Sequence, residues 1–541
     1  MPGPVITSVR FLLARQRDDM SDQRADRFAK LEKLRQLGID PYGGRFPGVS
    51  TNQTIRTAAE TLDISAGQIL GPVAAPGEPS AVVDGRVAHR AAGRVVLHRD
   101  IGSLIFITVR DQTGDLQWGV SRKMVESALA VSAGDAGEAR LHAGEAAWKL
   151  AKLLDLGDLV GCEGRLGRTK TGELTLWATH LTLLSKCLRP PPEKFHGLQD
   201  VEARYRRRYV DLLSNVESRE VFLKRAAIIN YARKVLHERG FVEVDTPVLQ
   251  PIYGGAAARP FTTHHNALDM KLYLRISPEL YLKRCLVGGL ERVFEFARCF
   301  RNEGISPRHN PEFTMLELYQ AYGDYHDMME ITEAIIAGAA RDVIGSYRIR
   351  FGEREIDYTP PWPRRRYGDL FAEHAGIAMA DTAAIRARAR ELYTRKQISV
   401  DEAKADDAVV ISALFEHYVE PHLVNPMFVV DYPAPLCPLT KRHPSEPGLA
   451  LRFEAYVNGM EMGNAYSELN DPVVQQETLT AQLRGEGDET MAVMDEDFVE
   501  ALEYAMPPAG GLGIGIDRLC MLLTGSESIR DVLLFPLQRP R

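Results

Sequence analysis

The segment from Phe296 to Gln320 holds the residues whose types and spacing most directly suggest chemistry. Its hydrophobic alternation predicts two β-strands joined by a loop that contains glycine and proline. Arg301 and Glu303 stand two residues apart on the first predicted strand, so we expect both side chains on one face. Arginine is the side chain best shaped to hold a carboxylate or phosphate with two hydrogen bonds. One face of the second predicted strand carries Phe313, Met315, Glu317 and Tyr319. The segment is either part of a ligand-binding sheet surface or a surface hairpin with ordinary charge pairs.

A second hairpin is predicted within residues 451–470, because Asn458-Gly459 is a strong signal for a two-residue turn. With this turn Tyr456 pairs with Glu461, and Glu454 and Glu461 lie diagonally adjacent on one face. Two carboxylates so close are unfavourable unless a cation lies between them, and magnesium prefers oxygen ligands. The hairpin is therefore a candidate magnesium site, and a solvent-facing acidic hairpin is the alternative.

Three polar residues further along the second strand of this hairpin have the opposite parity to Glu461. They are Asn464, Tyr466 and Glu468. Because side chains alternate between the faces of a strand, a common pocket requires the strand to slip by one residue. We expect a bulge at Gly463 for this reason.

Three widely separated segments resemble the signature motifs of the class II aminoacyl-tRNA synthetases. Residues 240–247 (GFVEVDTP) are similar to motif 1, residues 300–313 (FRNE and HNPEF) to motif 2, and residues 511–518 (GLGIGIDR) to motif 3. Within the class the chain most resembles the lysyl-tRNA synthetases, from about residue 22 onward. A dinucleotide fingerprint is a poor alternative for the third segment. Its GxGxG spacing, with roughly 26 residues after it, does not fit a βαβ unit.

The resemblance implies an α+β fold: an N-terminal OB-fold β-barrel followed by a class II synthetase antiparallel sheet flanked by helices. The sequence agrees, because several short runs between residues 81 and 185 alternate with period two around one helical insertion. The expected divisions are an N-terminal extension at 1–21, a helical segment and linker at 22–80, an OB-fold anticodon-binding domain at 81–188, a linker at 189–202 and the catalytic domain at 203–541.

The reaction implied by the resemblance is activation of L-lysine with ATP to lysyl-adenylate, with release of pyrophosphate, and transfer of lysine to the 3′ end of tRNA(Lys). Such a site needs preorganised positive charge and alignment, but no general base, because the attacking group is already a carboxylate. The resemblance implies that Arg301 and Arg518 are catalytic and that Mg²⁺ binds Glu454 and Glu461. The implied ATP-binding set is Arg301, Glu303, His309, Asn310, Phe313, Glu454 and Arg518.

A lysine site must neutralise two ammonium groups, so it needs carboxylates at both ends. Ser277-Pro278-Glu279 predicts a helix start with Ser277 as N-cap and Pro278 at the first position. By itself, Glu279 is also explained as a favourable charge at a helix N-terminus. The lysine-binding set that the resemblance implies is Gly255, Glu279, Arg301, Glu317, Tyr319, Asn464, Tyr466 and Glu468. Residues 254–260 resemble the loop that closes over lysine.

The predicted barrel carries candidate base-contacting residues, since OB-folds bind single strands by stacking bases on aromatic rings. The resemblance implies that Phe106 stacks a base and that the anticodon edges are read by Arg99, Gln117 and Glu173. From spacing alone, Phe106 is better explained as barrel core.

The composition is compatible with several domains, because 541 residues with 45% hydrophobic content can bury large cores. Lys+Arg 66 against Asp+Glu 73 leaves a net charge of −7, so RNA binding would need local basic patches. One candidate patch, which a solvated helix face explains equally well, is Lys186, Arg189, Lys194, Arg204, Arg206, Arg207 and Arg208.

The six cysteines form no CxxC pair, which indicates a reduced compartment and no zinc site. No apolar run is long enough to span a membrane. The resemblance further implies a cytoplasmic homodimer whose interface includes motif 1, although that helix could equally be internal core. The alternatives for function are a relative that lysylates a protein, a non-catalytic RNA-binding paralogue, and a sibling specific for aspartate or asparagine.

Overall fold

A computed structural model describes residues 22–60, 87–123, 125, 137–192, 198, 200–256, 258–484 and 494–540. The extension expected at residues 1–21 and the linker expected near residues 71–80 lie outside these ranges. The chain divides into two compact units, of which the second begins at Asp200. The domain limits given above remain predictions. No described helix is long and apolar enough to cross a membrane.

The first unit contains a closed five-stranded barrel, as the sequence predicted. Its strands, in the spatial order β1-β2-β3-β5-β4, are β1 Ala88–Asp100, β2 Leu104–Asp111, β3 Gly114–Ser121, β4 Leu159–Arg168 and β5 Leu174–Ser185. Only β3 and β5 pair in parallel. The described helices of this unit are α1 at 22–36, α2 Asn52–Glu60 and α3 Gly137–Leu153, and α3 lies in the expected insertion between β3 and β4. Alternate residues of β2, namely Ile105, Ile107 and Val109, fill the barrel core.

The second unit begins with three helices, α4 Val201–Arg206, α5 Arg208–Ser214 and α6 Val216–Glu238. Its main sheet has the strand order β14-β15-β16-β17-β18-β11-β10-β6. Those strands are β6 Val242–Glu243, β10 Arg292–Phe300, β11 Glu312–Ala321, β14 Arg364–Arg366, β15 Met427–Pro433, β16 Leu449–Val457, β17 Met460–Ser467 and β18 Ala509–Gly515. The pairing is antiparallel, as predicted, except that the edge strands β6 and β14 pair in parallel with their neighbours.

Further helices and small sheets complete this unit. The small sheets contain β7 Leu249–Gln250, β8 Thr262–His265, β9 Met270–Leu274, β12 Arg348–Phe351 and β13 Arg354–Asp357. The helices are α7 Glu279–Val287, α8 Tyr325–Ala339, α9 Tyr367–Ala375, α10 Thr382–Thr394, α11 Asp407–Tyr418, α12 Pro472–Arg484, α13 Glu496–Glu503, α14 Ile516–Thr524 and α15 Ile529–Val532. Helices α6, α8 and α14 contribute to one large hydrophobic cluster with β11, β16, β17 and β18. The sheet is therefore anchored from the apolar side.

Two local predictions in this unit were wrong by one residue or a few. Strand β10 ends at Phe300, which pairs with Glu312, so Arg301 and Glu303 lie in the following loop rather than on the strand. Helix α7 begins at Glu279 with Pro278 as its N-cap. Ser277 precedes that cap, although its hydroxyl still accepts a hydrogen bond of 3.1 Å from the Glu279 N–H.

Two members of the expected basic patch are buried in ion pairs, whereas Arg189 and Arg207 are exposed and Lys194 lies outside the described residues. Lys186 lies 2.6 Å from Asp155 and 2.8 Å from Asp158. In the second unit Arg208 lies 2.7 Å from Asp211 and is almost fully buried. These cations are structural, and neither the RNA interpretation nor the solvated-face interpretation holds for them.

The barrel depends on a glycine where β4 approaches β5. A Cβ at Gly164 would lie 2.3 Å from the Trp177 carbonyl oxygen, whereas a Cβ at Gly44 would meet nothing within 4 Å. We expect Gly164→Ala to destabilise the barrel by about 1–3 kcal/mol, the usual effect of overpacking. Intrinsic fluorescence during urea unfolding measures this, because Trp118, Trp148 and Trp177 are three of the four tryptophans. Gly44→Ala is the matched control. Equal midpoints for the two variants would contradict the proposed steric role.

Candidate active site

A cavity of about 220 Å³ lies in the second unit, where the loop after β10 meets β11, β17 and β18. The residues that line it include most of those expected to bind a nucleotide: Arg301, Glu303, His309, Asn310, Phe313 and Arg518. Arg308 and Arg452 also line it and were not expected. Four arginines against three carboxylates, those of Glu303, Glu461 and Asp517, leave the lining with a small positive excess, which suits an anionic ligand.

The two arginines of the motif-like segments hold different positions in this cavity. The guanidinium of Arg301 lies 5.1 Å from the centre of the Phe313 ring. Its Nε is buried and has no hydrogen-bond partner within the described residues, so it is available to a ligand. Arg518 donates to the Glu461 carbonyl at 2.9 Å and lies 3.0 Å from His309 Nε2. Burial and the neighbouring arginines, Arg518 first among them, lower the pKa of His309, so the neutral ring can accept a hydrogen bond from Arg518.

The hairpin of β16 and β17 has the predicted register at its turn. Val457 pairs with Met460 and Tyr456 with Glu461, so the prediction of an Asn458-Gly459 turn is confirmed. The register then shifts by one residue, since Ala455 pairs with Gly463. The extra residue is Met462, directly before the predicted position.

The shift places Glu454 opposite Asn464 and brings the polar residues of β17 to one face. Asn464 Nδ2 donates to Glu461 Oε1 at 2.9 Å. The Glu454 carboxylate accepts hydrogen bonds from Tyr456 at 2.7 Å and Tyr432 at 3.0 Å. Burial raises the pKa of Glu454, the paired Arg452 lowers it, and the nearby Glu461 raises it again.

Glu454 and Glu461 form an oxygen donor set that fits a hard cation, and their mutual repulsion is the signature expected of one. Within the described part of the chain no cluster of three or more His, Cys, Asp or Glu side chains could hold a metal. A cation at this pair would therefore need further ligands from phosphate or water, as magnesium in nucleotide sites does.

A second, buried pocket is formed by α7, β11 and the residues just after β17. It contains three buried carboxylates, those of Glu279, Glu317 and Glu468. Ser277 donates a hydrogen bond of 3.0 Å to Glu317, and Tyr319 OH lies 3.4 Å from the same carboxylate. Burial and the negative charge of Glu279 together raise the pKa of Glu317 to about 8, against the opposing effects of Ser277 and Arg301.

Lys283, a residue that sequence reasoning missed, completes this pocket. Its side chain is fully buried, and its Nζ lies 2.8 Å from Glu279 Oε1 and 2.6 Å from Glu468 Oε2. Burial raises the pKa of Glu468 to about 7 although Lys283 lowers it. The signal was available, because Lys283 follows Glu279 by four residues and so shares its helix face.

Glycines make room for the carboxylates. A Cβ at Gly511 would lie 2.0 Å from Glu468 Oε1 and 2.5 Å from the Tyr319 ring. A Cβ at Gly255, whose φ is 82°, would lie 3.0 Å from the Glu279 Cβ and 3.1 Å from Ser277 Oγ. Of the remaining expected residues, Tyr466 lies 5.3 Å from Arg452, between the two pockets. Arg452 pairs with Glu454. Sequence reasoning missed it, because a role was assigned only to the carboxylate two residues later.

In the first unit, three of the four candidate anticodon residues meet on the outer face of the barrel. Phe106 pairs across the strands with Arg99, and Arg99 Nη2 donates to Gln117 Oε1 at 3.3 Å. Phe106 is half-buried and packs edge-on at 5.9 Å from Trp177, so the prediction from spacing that it is core was wrong. Glu173 is exposed in the turn before β5.

Comparison with known proteins gives a consistent picture. Residues 200–539 match the family described as tRNA synthetases class II (D, K and N), and residues 83–184 match the OB-fold nucleic acid binding domain. The chain is 48% identical to the lysine–tRNA ligase of Carboxydothermus hydrogenoformans over 95% of this chain and 97% of that one. It is 46% identical to that of Pelotomaculum thermopropionicum (97% and 96%) and 44% identical to that of Bacillus cereus (96% and 98%).

The raised pKa of Glu317 makes the stability of the second unit depend on pH. Between 4.5, its usual value, and about 8, the folded state holds a proton that the unfolded chain releases. The free energy of unfolding therefore falls as pH rises through this window, by up to about 1.4 kcal/mol per pH unit. We expect Glu317→Gln to remove this loss, so that the variant gains stability relative to wild type between pH 5.5 and 7.5. Urea unfolding followed by circular dichroism measures it.

The control for this experiment is Glu312→Gln, which removes an exposed carboxylate from the same strand. A pH dependence of Glu317→Gln identical to that of wild type would show that Glu317 is ionised throughout.

Proposed function

We propose that this chain, which belongs to the class II tRNA synthetases for aspartate, lysine and asparagine, is an ATP-dependent lysine–tRNA ligase. It activates L-lysine to lysyl-adenylate, releases pyrophosphate and transfers lysine to the 3′ end of tRNA(Lys). One observation carries the choice of lysine: a pocket with three buried carboxylates adjoins the arginine-lined cavity. A substrate with two ammonium groups suits such a pocket, because buried carboxylates need cationic partners.

Arg301 is the residue that connects the two halves of the reaction. Arg301 lines the cationic cavity, and its positive charge also acts on Glu317 in the amino-acid pocket, whose pKa it lowers. In the proposed complex it binds the lysine carboxylate and the α-phosphate together, which holds the nucleophile against its target. Such alignment can supply about 7–11 kcal/mol of the barrier reduction. The positive charge of Arg301 also stabilises the charge that develops at phosphorus.

The other cavity residues hold the nucleotide. Phe313 offers its ring to adenine, and Arg518, oriented by His309 and the Glu461 carbonyl, binds the γ-phosphate. Glu303 and Asn310 line the same cavity and complete the proposed ATP site. Asn310 Oδ1 is buried without a partner within the described residues, so it can accept a hydrogen bond from the ligand.

Mg²⁺ would be held by Glu454 and Glu461 and would neutralise the phosphate charge of bound ATP. Asn464 and Arg452 fix the two carboxylates from either side, by the hydrogen bond to Glu461 and the ion pair with Glu454.

The amino-acid pocket selects lysine at both ends. In the proposed complex the α-ammonium group binds Glu279 and the Gly255 backbone, and the ε-ammonium group binds Glu468 with Tyr319. Glu317 lies beside them, and Asn464 and Tyr466 close the side that faces the cavity. An analogue without the ε-amine would leave Glu468 without its partner, and sites of this kind reject such analogues strongly.

The barrel is proposed to bind the anticodon of tRNA(Lys), with Phe106 as the stacking ring and Arg99, Gln117 and Glu173 as the groups that contact base edges. We also propose a cytoplasmic homodimer. Its support is the exposure of large apolar side chains in and after α6, namely Leu223, Val242 and Leu249. Apolar surface of this kind marks association sites.

The test of the function is ATP–pyrophosphate exchange with each of the twenty amino acids, with and without magnesium. Exchange with lysine alone, lost on chelation and followed by charging of tRNA(Lys), is the expected result. Exchange with aspartate or asparagine would mean that the pocket has been misassigned. Absence of exchange with every amino acid, in the presence of tRNA as well, would favour a non-catalytic paralogue.

Replacing Glu468 should affect lysine and spare ATP. We expect Glu468→Gln to raise the KM for lysine by at least about tenfold, because removing one member of a buried charged pair costs about 2–5 kcal/mol. The KM for ATP should change little. Pyrophosphate exchange measures both, and Glu477→Gln, an exposed change on α12, is the control. Equal changes in the two constants would refute the assignment.

Replacing Phe106 should separate the two steps of the reaction. Phe106 is not part of the barrel core, so Phe106→Ala is expected to leave the fold intact. We expect slower charging of tRNA(Lys) with unchanged lysine-dependent pyrophosphate exchange, because loss of base stacking costs about 1–3 kcal/mol. A parallel fall in both activities would indicate collapse of the barrel and would be visible in tryptophan fluorescence.

A further inference from the structure

Lys283 is the one fully buried lysine whose ammonium group contacts two of the proposed substrate-binding carboxylates in the described part of the chain. Its Nζ lies between Glu279 and Glu468, at 2.8 Å and 2.6 Å. These two carboxylates are the ones proposed to bind the two ammonium groups of lysine. Lys283 is therefore a lysine of the protein that contacts the same two carboxylates as the proposed lysine substrate.

The charges of the pocket explain why such a group is needed. The raised pKa of Glu317 keeps that side chain neutral near pH 7, so the ionised carboxylates are Glu279 and Glu468, with two negative charges. Lys283 carries one positive charge, and Arg301 is left out of the sum because it lines the nucleotide cavity. The balance is one negative charge, which the single net positive charge of lysine neutralises. Without Lys283 the balance would be two, and burial would drive an additional carboxylate to its protonated form.

Loss of Lys283 would act most directly on Glu468, whose carboxylate lies 2.6 Å from the Lys283 ammonium group. The charged and titratable groups that face Glu468 are Lys283 and Glu279 from α7 and Tyr319 from β11. Lys283 is the only cation among these three. Even beside Lys283, the pKa of Glu468 is raised to about 7.

We propose that Lys283 is a positioning residue that sets the charge of the amino-acid pocket, and through it the selectivity for a substrate with two ammonium groups. It acts by keeping Glu468 ionised and by fixing the orientation of the Glu468 and Glu279 carboxylates. The proposal rests on the proposed activation of lysine. The competing explanation is that Lys283 is a structural ion-pair partner with no influence on selectivity.

Lys283→Met tests the proposal first through pH. Loss of the ammonium group raises the pKa of Glu468, so the ionised fraction near neutral pH falls. We expect the acid limb of kcat/KM for lysine to move up by about one pH unit or more, which corresponds to roughly a tenfold loss near pH 7. Activity should recover at higher pH, and the KM for ATP should change less than about twofold. Lys404→Met, an exposed site, is the matched control.

The decisive measurement compares the same change in two backgrounds. In Glu468→Gln the ammonium of Lys283 would face the ε-ammonium of the substrate across a neutral amide. Adding Lys283→Met to that variant removes the repulsion, so we expect it to lower the KM for lysine there, although it raises the KM in the wild-type background. A structural role would not produce this change of sign.

The possible results distinguish a positioning role of Lys283 from a purely structural one. Opposite signs in the two backgrounds support the proposal, as does a shifted acid limb that recovers at high pH. Damage of the same sign in both backgrounds, or parallel changes for lysine and ATP, would overturn it. If the single variant does not fold, the double variant, which removes both members of the Lys283–Glu468 pair, supplies the comparison with Glu468→Gln. Failure of both Lys283 variants to fold would assign Lys283 to structure alone. Failure of wild type to exchange with lysine would refute the function itself.

Discussion

The burial of charge is the constraint on which the catalytic unit depends. Three carboxylates are buried in one pocket, and each needs a partner, because an unpaired ionised group is costly to bury. The protein meets this need partly with its own groups, Lys283 and Ser277, and leaves the remaining need to the ligand. The carboxylates that the protein leaves incompletely paired are thus the groups that select the ligand.

The same constraint applies to the cationic cavity, where the buried charges are those of arginines. Arg301 and Arg452 both keep a buried Nε without a partner within the described residues, but the guanidinium of Arg452 is also paired with Glu454 and packed on aromatic rings. The first arrangement leaves an arginine available to a ligand and the second fixes a carboxylate. The bulge at Met462 joins the two regions, because the one-residue slip brings Asn464 beside Glu461.

The sequence was most informative where local chemistry decides the structure. A two-residue turn signal predicted the hairpin, and the parity of polar residues predicted the slip, because side chains alternate strictly along a strand. Predictions failed where packing decides: β10 ends before Arg301, and Phe106 lies on the outer face because Ile105 and Ile107 already fill the barrel. Lys186 resembled surface charge, since nothing local indicates that Asp155 and Asp158 approach it. For Arg208 a local signal existed, because Asp211 follows it by three residues on the same helix. The proposed roles of the site residues came from resemblance and remain predictions.

The position of β18 in the sheet has a consequence for folding during synthesis. This strand, at residues 509–515, lies between β11 and β17, so the sheet is joined across its middle by a segment near the end of the described chain. Pairings between elements so far apart in sequence form slowly. During synthesis, β10 and β11 must therefore wait, with one edge unpaired, until β18 has left the ribosome. A nascent chain released before Gly511 would lack both the floor of the lysine pocket and Arg518. We therefore expect prematurely terminated products to be inactive and, because of that unpaired edge, prone to aggregation.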